Sequence, residues 1–412
     1  MSSIGEDTAA RAVYTPSAMN RSLTVAIVGT GFLARTRAHC WRRVHHANVK
    51  IIMVSRDKGR AEQFAKELGI ARAASFDEIL ADKDVNLVDL CVPNHAHAPL
   101  CERAAAAGKH VLCTKPLSAF WGQGLPADAT AKQVAATDRG AMLSAALKDA
   151  EAMVESCKKA GVQLFYGENW IFAPSIERAA ALGAAAKGIV LEMRGWESHS
   201  GSHASYARDW RHAGGGALLR LGSHPIGTML WLKHREGLRL RGKPTRVASV
   251  TAEVTDLSQA AAGHACEVAT GWNDVENWGM CVLNFDDGTR GTAYGSDNML
   301  GGMQSHLTVL ASDHRLECSL SPVDSLRSYA VNEGTFGDEY MMEKLSGQAG
   351  WSTPMPDEMW CSGQQGLLQS VSDHLRKSER SDVDGELGLE VVRIIYAAYR
   401  SAAEGRRIRL AE

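Results

Sequence analysis

Six residues, Gly29-Thr30-Gly31-Phe32-Leu33-Ala34, limit what this chain can fold into more than any others. They follow a short β-rich run, Leu23–Val28, and open a helix-like stretch, Arg35–Val44. A first glycine at such a corner permits a tight turn. A second lets the backbone approach a pyrophosphate, and a small third residue lets the helix pack close to the strand. The helix N-terminus then offers free N–H groups to an anion. The pattern alone is a weak signal, but a strand before it and a helix after it are the context that a dinucleotide site requires.

The alternation continues through the first half. Val49–Val54, Val85–Val92, His110–Cys113 and Val162–Gly167 are β-rich runs. Lys58–Leu68, Ala98–Ala107 and Ala141–Ala160 read as helices, the last two closed by Gly108 and Gly161. Such βαβ units predict a parallel sheet. The second half reads as short strands with few helices between them: Ile189–Trp196, Arg246–Val254, Met280–Phe285, Arg290–Tyr294, His306–Leu310 and Arg315–Leu320. Asp286-Asp287-Gly288 supplies a hairpin turn, so a mainly antiparallel sheet is expected there. Gly385–Ala403 carries Leu387, Val391, Ile394, Ile395 and Tyr399 at helical spacing and is expected to pack back on the body. Residues 1–21 read as a loose polar tail.

The end of the second strand bears on the ribose. An acidic side chain there accepts hydrogen bonds from both ribose hydroxyls and favours NAD. Here Ser55 and Arg56 follow Val54, and a hydroxyl with a guanidinium suits a 2′-phosphate. Asp57 comes next and keeps NAD open, so the expected cofactor is NAD(P), leaning to NADP.

Composition excludes other classes. Lys plus Arg (45) nearly balances Asp plus Glu (47), which argues against a nucleic-acid partner. With 45% hydrophobic residues over 412, the chain has the material for sizeable cores. Nine cysteines without a C-x-x-C pair read as free thiols in a reducing compartment. No secretory signal and no apolar run of membrane-spanning length is evident, so a cytoplasmic protein with no membrane partner is expected.

Two further motifs, Cys91-Val92-Pro93-Asn94-His95-Ala96-His97 and Ala107-Gly108-Lys109-His110-Val111-Leu112-Cys113-Thr114-Lys115-Pro116-Leu117, accompany the glycine fingerprint. With Trp210-Arg211-His212-Ala213-Gly214-Gly215-Gly216-Ala217-Leu218, Gly222 and His224, they resemble the Gfo/Idh/MocA family, the glucose–fructose oxidoreductase and inositol dehydrogenase-like enzymes. The resemblance spans most of residues 22–410. It implies an α/β protein: an N-terminal Rossmann domain, placed at 22–165, and a C-terminal α/β domain with an open-faced, mainly antiparallel sheet, placed at 166–384. Residues 385–412 would form the closing helix and its tail. It also implies hydride transfer between a nicotinamide cofactor and a secondary alcohol of a sugar, glycoside or cyclitol, in a homo-oligomer (dimer or tetramer). Gly29, Thr30, Gly31, Phe32, Leu33, Ser55, Arg56, Pro93, Asn94, His97, Thr114 and Lys115 are the expected cofactor contacts. Lys115 matches the family's catalytic lysine and His224 its proton acceptor. An imidazole suits the proton transfer, and an ammonium stabilises the alkoxide charge that develops.

Three departures stand out. Thr114 replaces the glutamate of the family's E-K-P motif, which should lower the proton affinity of Lys115. Arg220 stands four residues before His224, where an aspartate is usual. It either clamps an anionic substrate group or pairs with a nearby carboxylate. Residues 120–140 lengthen the connection after Pro116, as a lid or as a plain surface insertion. Glu168 is expected either near the substrate or capping the helix that begins near Pro174. Trp170, beside it, is a candidate to stack on a sugar ring, with core packing as the alternative.

His199, His203, His212 and His224 fall within 26 residues. Such a cluster can hold a divalent metal, contact sugar hydroxyls or line a solvated loop. The spacing matches no recognised ligand motif, so no metal is assigned, and His199 joins Glu168, Trp170, Arg220 and His224 as expected substrate contacts. Two competing functions keep the fold: a redox-assisted elimination or glycoside cleavage with retained NAD, and a non-catalytic cofactor-binding sensor.

Overall fold

The computed structural model describes residues 22–202, 204–268, 274–321, 325–345 and 347–410. The tail 1–21 and His203 lie outside them. Strand β1 (Ser22–Val28) is buried from Leu23 onward, as an apolar strand covered on both faces must be. Around it lie β2 (Asn48–Val54), β3 (Arg72–Ala74), β4 (Leu87–Leu90), β5 (His110–Thr114) and β6 (Leu164–Gly167), in the order β3-β2-β1-β4-β5-β6. Every pair is parallel. The order reverses between β1 and β4, and the crevice outside their carboxyl ends is where ligands of such sheets sit.

The second sheet has seven strands. They are β7 (Val190–Ser198), β8 (Val247–Thr255), β9 (Trp278–Phe285), β10 (Arg290–Ser296), β11 (Gln304–Ala311) and β12 (Arg315–Ser319), closed by a short C-terminal strand. A hairpin of β13 (Ser328–Ala330) and β14 (Gly350–Ser352) stands outside it. With that closing strand as β15 (Ile408–Arg409), the order is β12-β11-β7-β10-β9-β8-β15. Only β7 and β10 run parallel.

The expectation of few helices in this half is corrected by two long ones, Ser223–Arg241 and Gln364–Lys377. The first hides from periodicity because residues 223–231 are all buried. It lies on the inner face of the sheet, where a β-carbon on Gly195 would come within 2.7 Å of Pro225 and 2.9 Å of Met229. The opposite face presents Trp196, Trp278, Tyr294 and His306, partly exposed and in ring contact.

The helix Gly385–Glu404 carries its apolar stripe against both the helix Arg139–Ala160 and β8. Two of its tyrosines anchor the glycine run before His224. The Tyr396 hydroxyl donates to Gly214 O and accepts from Phe120 N, both at 2.6 Å. The Tyr399 hydroxyl donates to buried Glu276 at 2.7 Å and accepts from Gly216 N and Leu219 N. A β-carbon at Gly216 would fall 1.8 Å from Glu276 O, so only glycine fits there. Residues 120–140 brace against this region, with the Arg211 guanidinium donating to Ala127 O and Ala129 O.

Candidate active site

One groove of about 1840 Å³ runs along the carboxyl ends of the first sheet and onto the second. Its first end is a phosphate cradle. Gly29 has φ +131°, and a β-carbon there would lie 2.2 Å from Cys91 O. A β-carbon on Gly31, by contrast, would meet nothing within 4 Å. The helix Phe32–Arg42 starts after Gly31 with no side-chain cap, leaving its first N–H groups to the groove. The open space and free donors fit a dinucleotide pyrophosphate. Thr30, Phe32, Leu33, Ser55, Arg56, Pro93, Asn94 and Thr114 also line this groove. Asp57 lines the groove beside Arg56, and its carboxylate also caps the next helix, accepting from Arg60 N at 3.3 Å.

His97 is corrected. It is fully buried, absent from the groove wall, and its ring nitrogens lie 2.9 Å from Val92 O and 3.1 Å from Leu117 O. It pins the two motif loops together and does not face a cofactor. Residues 120–140 are absent from the groove wall and pack behind it, with Trp121 in edge contact with His95 of the wall.

At the other end Lys115, leaving β5, donates to Arg220 O. Burial pulls its proton affinity below the ordinary lysine value, while Glu197 and Glu168 pull it up. His224 is the second residue of its helix. Its Nδ1 lies 2.6 Å from Glu168 Oε1 and its Nε2 3.7 Å from Glu197 Oε1. The imidazole stacks on Trp170, centroids 5.6 Å apart and planes at 9°. Trp170 Nε1 donates to Glu197 Oε2 at 3.0 Å, and Ser305 Oγ donates to the same oxygen at 2.9 Å. Trp170, itself only 2% exposed, thus carries the histidine.

Glu168 is corrected in part. It is fully buried and is absent from the groove wall. It caps the 3₁₀ turn Asn169–Phe172 through Trp170 N, not the helix at Pro174, and stands behind His224. Arg220 resolves toward ion pairing: its guanidinium bonds to the buried carboxylate of Asp297. The carboxylate lost at position 220 therefore reaches His224 from β6 instead, through Glu168.

The three described histidines of the cluster, His199, His212 and His224, line the groove with separate partners. His212 bonds to Asp209 at 2.6 Å, whereas His199 sits 3.5 Å from Asp297. Among the described residues no three His, Cys, Asp or Glu side chains are grouped to hold a metal. Sequence reasoning missed Ser305, Tyr340, Glu343 and Lys344 in the groove wall, and Asp297 behind it.

Residues 23–147 match a family model described as an oxidoreductase family with an NAD-binding Rossmann fold, and residues 180–317 match the C-terminal domain of the same family. The chain is 28% identical to D-xylose 1-dehydrogenase (NADP(+)) 2 of Haloferax volcanii, over 87% of this chain and 91% of that protein. It is 23% identical to myo-inositol 2-dehydrogenase of Thermotoga maritima, over 95% and 99%. Among solved structures it resembles GenD2 from gentamicin A biosynthesis in complex with NAD, with TM-score 0.75, 26% identity, and coverage of 96% and 98%. Levoglucosan dehydrogenase in complex with NADH and levoglucosan shares the fold, with TM-score 0.70 at 18% identity and coverage of 95% and 100%. The matched segments follow the two sheets described above, and the chain belongs to the Gfo/Idh/MocA family of NAD-binding oxidoreductases.

Proposed function

We propose that this oxidoreductase transfers a hydride between a nicotinamide dinucleotide and a secondary alcohol of a sugar, glycoside or cyclitol, with Lys115 and His224 at the reacting oxygen. The observation that carries this is their convergence: both line the groove beyond the phosphate cradle, and both are flanked by Glu168 and Glu197. The relatives named for xylose and inositol support the substrate class. When bound, the nicotinamide supplies the hydride chemistry. A carboxylate can only accept, so Glu168 holds the Nδ1 proton of His224 and leaves Nε2 with the lone pair. Nε2 takes the hydroxyl proton, and the resulting imidazolium lies between two carboxylates. The Lys115 ammonium stabilises the charge left on oxygen. With this carboxylate support, the sensor reading loses its motive.

Arg56 in the groove wall, with Asp57 engaged by its own helix, favours NADP. Mixing the protein and NADP with a panel of aldoses, glycosides and cyclitols should raise nicotinamide absorbance at 340 nm. The kcat/KM for NADP should exceed that for NAD by about tenfold or more, the worth of one charge-assisted contact. Arg56→Ala should erase that preference. Equal use of both cofactors by the wild type would discard the 2′-phosphate reading. A panel with no reduction at all would discard the dehydrogenase reading.

The partly exposed face bearing Trp196, Trp278, Tyr294 and His306 supports a homo-oligomer, a dimer or tetramer. Sedimentation velocity should give at least a dimer, and Tyr294→Lys should shift it toward monomer. A monomeric wild type refutes this. No described helix is long and apolar enough to cross a membrane. The nine free thiols fit a reducing, cytoplasmic compartment.

A further inference from the structure

The far corner of the groove holds donors that the protein does not satisfy. Lys344 lines it with a side chain only 8% exposed. Among the described residues its ammonium makes no hydrogen bond, and the nearest carboxylate, Glu343 Oε1, is 3.7 Å away, too far for one. Its backbone is left-handed, φ +65°, a conformation that residues with a β-carbon adopt rarely and that clusters at ligand sites. His199 stands in the same corner. Its Nδ1 accepts from Gly201 N at 2.9 Å, so the ring proton sits on Nε2, which has no acceptor among the described residues.

Among the described residues the carboxylates in the corner have partners of their own, except for Asp297 Oδ1, which is buried without a hydrogen bond 3.5 Å from His199 Nδ1. Asp297 takes the Arg220 guanidinium. Glu197 accepts from Trp170 and Ser305. Burial and the neighbouring Glu358 push Glu343 toward its neutral form, which leaves the Lys344 charge less compensated. Burial, followed by the charges of Arg220, Lys344 and Lys115, pushes His199 down to about 3, so it is a neutral donor at physiological pH.

We propose that Lys344 and the Nε2–H of His199 form a subsite for an anionic substituent of the substrate, a carboxylate or a phosphate ester. The inference rests on the sugar dehydrogenase reading and adds a charge to it. A cation and a neutral N–H, both lacking acceptors, suit an oxyanion better than a hydroxyl, which would leave the charge uncompensated.

Binding to the protein loaded with NADPH tests this independently of turnover. Intrinsic tryptophan fluorescence would be titrated with D-glucuronate, D-glucose 6-phosphate, D-glucose and D-glucosamine. At least one anionic sugar should bind about tenfold or more tighter than glucose, with glucosamine weakest. The stronger of the two names the anion. Lys344→Gln should bring the anionic sugar down to the level of glucose, and Lys344→Arg should keep the preference. Binding of glucose or glucosamine as tight as that of both anions overturns the proposal. So does a preference that survives Lys344→Gln, or no binding of any sugar. Reduction of NADP by neutral sugars alone leaves the dehydrogenase reading standing and removes this one.

Discussion

Lys115→Met will still bind the dinucleotide, with tryptophan quenching by NADPH unchanged, but its kcat will fall by about two to three orders of magnitude. The cradle that holds the phosphates is built from Gly29, Gly31 and the free end of a helix, and none of these touches the lysine side chain. What the substitution removes is the cation at the reacting oxygen. The loss belongs to kcat, because the charge on oxygen grows only as the proton leaves. The pH dependence follows from the same residue. Below its pKa the ammonium is present and the rate is sustained; above it the charge is gone. Burial holds that pKa under the ordinary lysine value, so the alkaline fall in rate begins earlier than a solvated lysine would give. Lys115→Arg, which stays charged, should remove that alkaline limb even if its longer head lowers the maximum. A Lys115→Met enzyme with normal turnover ends the assignment.

How much of this was legible depended on whether the information lay in one stretch of chain. The phosphate cradle, Lys115 and His224 sit in contiguous motifs whose spacing carries the chemistry. The parallel sheet showed itself because its strands are apolar throughout and its helices end in glycine. His97 lies in such a motif too, yet its ring turns inward to join two loops, and direction is not written in spacing. The helix Ser223–Arg241 was missed because it is walled in on all sides and loses its amphipathic signature. Arg220 looked like a broken site because the compensating carboxylates, Asp297 and Glu168, are brought in from 77 and 56 residues away. Lys344 had no motif at all. Its significance comes only from the corner into which the fold delivers it.

Glu168 is where that compensation is open to test. Glu168→Gln keeps the size of the side chain and an oxygen for the Nδ1 proton of His224, but removes the negative charge behind the imidazole. Through His224, Glu168 acts as a positioning residue, since it does not reach the groove wall. The expected loss in kcat is about tenfold to a hundredfold, with the KM for substrate nearly unchanged. Removing the base itself in His224→Ala should cost about two to four orders of magnitude. A role confined to packing would lower the melting temperature and leave the kcat of the folded enzyme near that of the wild type. The double variant adds the last control: once His224 is alanine, Glu168→Gln should cost little more, because its effect passes through the imidazole. Additive losses would mean that Glu168 acts on the substrate by a route the groove geometry does not contain.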